Sequence, residues 1–119
     1  MGKYFKEINK MSGYFFDRDI TKNSINDKSA RKVLAHGKEM MVCHLYFETG
    51  AVGEAHRHPH TQCVYILSGS FEFNLEGDNT LIKAGDSVFV PSNALHGLVC
   101  LEKGELLDIF TPEREDFLV

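Results

Sequence analysis

From Arg31 onward the chain alternates short apolar runs with turn residues at regular spacing, the pattern of a sandwich or barrel built from short strands. The runs predict strands over Arg31–Ala35, Met40–Phe47, Gln62–Ser68, Phe71–Leu75, Thr80–Ile82, Ser87–Val90, Gly97–Cys100 and Leu106–Thr111. Within Phe71–Leu75 the alternation is strict. Phe71, Phe73 and Leu75 share one face, with Glu72, Asn74 and Glu76 on the other, so that strand buries a single face. Gly77, Asp78 and Asn79 tolerate positive φ and predict a hairpin turn, and Lys83-Ala84-Gly85-Asp86 predicts a second. The first thirty residues lack a clear period. KYFKEINKMSGYFF fits a short amphipathic helix or two strand fragments, and DRDITKNSINDKS is polar and turn-rich.

Composition narrows the class. A chain of 119 residues has room for one core, and 43% apolar content with nine Phe and four Tyr suits an all-β domain. Thirteen basic against seventeen acidic residues give a net charge of -4 without a basic stripe, which argues against nucleic acid as a partner. No apolar stretch is long enough for a membrane span and MGKYFKEINK lacks the apolar core of a secretory signal, so the expected location is the cytoplasm. Cys43, Cys63 and Cys100 lie in apolar runs without a CxxC pair and read as small buried hydrophobes of a reducing compartment. Both faces of Met40–Phe47 are apolar, so one of them is free to serve a homodimer, although a thick sandwich core explains the run too.

Three histidines crowd the stretch HRHPH. In a strand, positions i and i+2 share a face, which would aim His56 and His58 together with Arg57 turned away. Gln62 has the spacing to join them if Pro59 and His60 only bend the chain, and His96 follows the turn PSNAL. The alternative is a polar loop decorated with imidazoles, since HxH alone is a weak motif. His60 is expected at the bend, His44 in the core or lining a pocket, and His36 in a turn. Near the C-terminus, LLDIFTPEREDFL sets Asp108 in an otherwise apolar strand, where a carboxylate is costly unless paired, coordinated or used. Asp108 and Phe110 share a face. Either that face is a pocket, or Asp108 turns outward or pairs with Arg31 or Arg114.

Two spaced motifs resemble the cupin family. Gly50, His56, His58 and Gly69 fit its first motif with Gln62 in place of the usual Glu, and Gly85, Pro91 and His96 fit its second with Asn93 in place of Gly and Cys100 in place of a frequent Asn. The resemblance implies a small single-domain double-stranded β-helix, a jelly-roll barrel over residues 15–119, with residues 1–14 as an extension of unassigned role. It also implies one divalent metal ion on His56, His58, Gln62 and His96. Imidazole and amide ligands suit zinc, nickel, manganese or iron, and a neutral Gln leaves the ion's full charge for Lewis-acid work.

RKVLAHGKEMM, HRHPHTQCVYILSGSFEF and LLDIFTPEREDFL are further similar to the pectin-degradation (KdgF-type) cupins, which linearise unsaturated uronates. That likeness implies a small-molecule sugar acid as substrate, with Asp108 as proton-transfer base, Phe110 stacking on the sugar and Arg114 either holding its carboxylate or standing as a surface charge of the PERED run. Two other readings stand beside ring opening: a non-catalytic sugar-acid-binding module, and an oxygen-dependent dioxygenase.

Overall fold

A computed structural model of the chain describes residues 13–118; the expectation of a helix or strands over the first residues lies, up to residue 12, outside them. Eight strands form one continuous antiparallel system: β1 (Asn23–Asn26), β2 (Ser29–Gly37), β3 (Met40–Phe47), β4 (Val52–His56), β5 (Thr61–Leu75), β6 (Asp78–Lys83), β7 (Ser87–Val90) and β8 (His96–Thr111). Single turns of 3-10 helix occupy Asp17–Asp19 and Glu115–Leu118.

Strands β5 and β8 run the whole length of the molecule, paired from Thr61↔Thr111 to Leu75↔His96. At one end they are flanked by β7 and by β3, which continues to β2 and β1; at the other they are flanked by β6 and β4. The result is two sheets joined through two shared, bent strands, a jelly roll. Four of the runs expected as separate strands are therefore halves of these two. The pairing slips around Ser68 and Ser70, and there Gly69, at φ +77, and Gly104 let the strands cross so closely that a Cβ on either would fall under 3.0 Å from the other strand's backbone.

Inward positions alternate as the period-two rule requires. Val64, Ile66, Phe71, Phe73, Cys100 and Leu106 belong to the main core, while Met41, Cys43 and Phe110 form a smaller cluster against which Val33 and Phe117 pack. The β5–β6 turn has positive φ at both Glu76 and Gly77, the two-residue geometry that suits a twisted hairpin. Two expectations need correction. Cys63 is exposed on the outer face of β5, because its neighbours Gln62 and Val64 take the inward positions. His36 lies within strand β2, one residue before its end, rather than in a turn, with its Nδ1 2.8 Å from Glu113 Oε2.

Candidate metal centre and pocket

His56, His58 and His96 come together with their ligand atoms within 4.8 Å of one another. Strand geometry alone does not do this: β4 ends at His56, and His58 sits beyond it in the loop that leads to β5. His96 opens β8 directly opposite His56 in the β4–β8 ladder. The loop before His96 is held in place by Asn93, which adopts φ 65 and donates its backbone N–H to the carbonyl of His58 at 2.8 Å. Asparagine tolerates this left-handed conformation, which accounts for its presence where glycine is usual.

Each ring is oriented by a backbone carbonyl. His56 Nδ1 donates to Glu54 O at 2.8 Å, His58 Nδ1 to His60 O at 3.1 Å and His96 Nδ1 to Ala94 O at 2.9 Å. With the proton on Nδ1, each neutral ring turns an Nε2 lone pair toward the others. Burial lowers the pKa of His58 and His96 and so favours their neutral forms. Among the described residues His96 Nε2 is buried with no hydrogen-bond partner. A bound cation would satisfy it.

Gln62 completes the set. Its Nε2 donates to Asp108 Oδ1 at 2.8 Å, which leaves Oε1 facing His58 Nε2 at 2.9 Å. A neutral His58 cannot donate from Nδ1 to His60 and from Nε2 to Gln62 at once. Two acceptor lone pairs this close are natural as ligands of a single ion, so three imidazole nitrogens and one amide oxygen fit a divalent metal. The amide also does something a carboxylate could not. It offers oxygen to the centre and an N–H to Asp108.

The pocket beside this cluster has a volume of about 240 Å³, with Asp108, Phe110, Arg31, Arg114 and Phe117 in its walls together with His56, Gln62 and His96. Asp108 is half-buried by surface area yet enclosed by protein, with its open side toward the pocket; burial pushes its carboxyl up to about 7, against the pull of the Gln62 amide and of the Arg114 and Arg31 guanidinium groups. No ion pair joins it to Arg31 or Arg114 among the described residues. Phe110 is buried at the pocket floor, its ring 5.7 Å from His58 in a T-shaped contact. Arg114 reaches the pocket, but its Nε and one Nη donate to both carboxylate oxygens of Asp116 at 3.1 and 2.9 Å.

Two other histidines stand apart. His60 lies at the bend, 5.5 Å from the His58 ring and outside the three-histidine group. His44 is neither core nor pocket wall: it stacks on Tyr46 at 4.2 Å with Nε2 2.7 Å from Glu105 Oε1, on the half-exposed outer face of β3. Arg31, which sequence reading names only as an ion-pair partner for Asp108, and Phe117, which it does not single out, are pocket residues. Arg31 carries a trace of it in SARKV, where it shares the inward face with Ser29 and Val33.

A family model described as "Cupin domain" matches residues 43–110. The chain is 37% identical over 110 residues to the pectin degradation protein KdgF of Dickeya dadantii (strain 3937), covering 91% of this chain and all of that one. Among solved structures it is similar to an RmlC-like cupin from Shewanella frigidimarina NCIMB 400, with TM-score 0.84, 38% identity and coverage of 87% and 94% of the two chains. KdgF from Halomonas sp. superposes with TM-score 0.83 at 33% identity, covering 87% of this chain and 96% of that one.

Proposed function

The chain belongs to the cupin family, in the group of the pectin-degradation protein KdgF, and from that membership we propose that it opens the ring of 4,5-unsaturated uronates to give 5-keto-4-deoxyuronates. What supports this most is the hydrogen bond from Gln62 to Asp108, which ties an enclosed carboxylate to the three-histidine cluster within one pocket.

The reaction is an isomerisation. Asp108 accepts the proton of the anomeric hydroxyl, the bond from carbon 1 to the ring oxygen breaks as the carbonyl forms at carbon 1, and the electron pair passes to the ring oxygen. The enolate so released at carbon 5 takes a proton at carbon 4 and becomes the ketone, with Asp108 placed to return the proton it took. Gln62 holds the Asp108 carboxylate toward the pocket through its amide N–H. Phe110 offers an apolar wall to a sugar face, and the Arg31 and Arg114 guanidinium groups make the outer part of the pocket positive toward an anionic substrate. His56, His58, His96 and Gln62 would hold a divalent ion, which would supply Lewis acidity to the pocket. No oxidation state changes, so molecular oxygen is not required.

The test uses unsaturated uronates prepared from pectin and from alginate, with loss of the conjugated-acid absorbance as readout. Metal-loaded protein should accelerate the loss under nitrogen as well as in air, and a chelator should abolish the acceleration. Asp108→Ala should retain metal by elemental analysis while turnover falls by at least about a hundredfold, the lower end of what one general base contributes. A spontaneous rate unchanged by metal-loaded wild-type protein on both substrates would remove ring opening from consideration.

A homodimer is part of the same proposal. The outer face of the sheet carries a cross-strand row of Val42, Ile109, Cys63 and Phe89, flanked by Tyr65; Phe89 is 60% and Tyr65 43% exposed. A second copy would cover this apolar row. Among the described residues no helix is long and apolar enough to cross a membrane, and the exposed free thiol of Cys63 suits a reducing compartment such as the cytoplasm.

A further inference from the structure

Resting on the uronate reading, we propose that Arg31 grips the substrate carboxylate and thereby sets the pocket's preference for acidic over neutral sugars. Arg114 was the sequence candidate for this grip, but both prongs it presents to Asp116 are already engaged in a bidentate pair. Arg31 differs. Its guanidinium lines the pocket, and among the described residues no carboxylate lies within ion-pair distance of it.

A half-buried guanidinium without an anion is costly, because burial strips water from the charge and nothing returns the lost interaction. Arg31 lies over the face of Phe117, 3.7 Å from its Cζ, and shares that ring with Arg114 at 4.3 Å, while the Asp108 and Asp116 carboxylates act on it only from beyond ion-pair distance. Burial lowers the Arg31 pKa and the neighbouring Arg114 guanidinium lowers it further, against the pull of Cys43 and of the Asp116 and Asp108 carboxylates. The stack fixes the plane of the fork but leaves its N–H edges free, the arrangement that suits a planar carboxylate.

The register places this cation correctly for the chemistry. Arg31 stands in the row Arg31↔Leu45↔Leu106, and Asp108 in the next inward row, Val33↔Cys43↔Asp108. In an unsaturated uronate the anomeric hydroxyl on carbon 1 and the carboxylate on carbon 5 flank the same ring oxygen. A base and a cation in adjacent inward rows can address the two at once, with the cluster of histidines beyond Asp108.

Affinity for a non-reacting ligand tests the grip apart from turnover. Galacturonate and neutral galactose are titrated by NMR into metal-loaded wild-type protein and the variants Arg31→Gln, Arg31→Lys and Arg114→Gln. Arg31→Gln should weaken galacturonate at least tenfold and leave galactose within twofold, and Arg114→Gln should weaken galacturonate less than Arg31→Gln does. Arg31→Lys keeps the charge and the stack on Phe117 but not the fork, so it should weaken galacturonate several-fold with galactose unchanged, and it decides the matter if the Gln variant does not fold. Galacturonate affinity within twofold of wild type in both Arg31 variants overturns the proposal, as does an equal loss for galactose. Arg31-dependent galacturonate binding without turnover of any unsaturated uronate would overturn ring opening and leave Arg31 in its role.

Discussion

Gln62 does two things with one side chain, and only an amide can do both. Its oxygen faces His58 while its nitrogen donates to Asp108 at 2.8 Å. Gln62→Glu would supply a charged ligand and keep the metal, but it would set a carboxylate oxygen against Asp108 Oδ1, and like charges that close cannot both ionise. We expect turnover to fall by roughly tenfold to a hundredfold while elemental analysis still finds metal, the fall reflecting about 1.4–2.8 kcal/mol of lost proton-transfer competence. An unchanged rate would show that the N–H of Gln62 does not matter to Asp108. The cysteines separate on the same scale. Burial, reinforced by Asp108, pushes the Cys43 thiol up to about 12, and Cys100 is buried too, whereas Cys63 is exposed. A chromogenic disulfide reagent should therefore titrate one thiol in the folded protein and three after denaturation, and Cys63→Ser should bring the folded count to zero.

At the scale of the element, the bend in β5 and β8 decides whether there is a pocket at all. Gly69 and Gly104 lie where each strand passes against the other's backbone, so a methyl group at either has nowhere to go except by prying the strands apart. Gly69→Ala adds left-handed strain to that clash. It should cost roughly 2–4 kcal/mol and lower Tm by more than about 10 °C. Gly77→Ala is the control, since it too has positive φ, at +85, but open space around its Cβ; it should cost roughly 1–2 kcal/mol in a thermal melt. Equal losses at the two sites would mean that conformation alone, and not strand crossing, fixes Gly69.

For the whole molecule, the two faces of the sheet formed by β1, β2, β3, β8, β5 and β7 divide the work. Its inner face, with Met41, Cys43, Asp108 and Phe110, closes the pocket, and its outer face carries the row through Ile109, Cys63 and Phe89. Sedimentation should find a dimer for the wild-type chain and a monomer for Phe89→Glu with Tyr65→Glu, with metal content unchanged because neither residue touches the pocket. A wild-type monomer at micromolar concentration would sink the dimer.

Periodicity and turn residues by themselves determine the all-β class, the inward faces of the strands and the hairpin at Gly77, because alternation and positive φ are local properties. The spacing of His56, His58, Gln62 and His96 leaves a polar loop as an alternative, and it is the resemblance to two cupin motifs that implies a metal site on them, since strand geometry does not carry His58, which lies in the loop beyond β4. Asp108 is legible as an anomaly, a charge where only apolar neighbours stand. Tertiary structure alone decides which partner each charge finds. Arg114 spends its fork on Asp116 two residues away, Arg31 reaches the pocket through the β2–β3–β8 register, and Phe117 arrives there through the closing turn after the last strand. It also decides that Cys63 faces outward and that four expected strands are two. Those outcomes follow from register and from strand crossings between residues far apart in sequence, and a linear pattern of apolar and polar positions does not encode either.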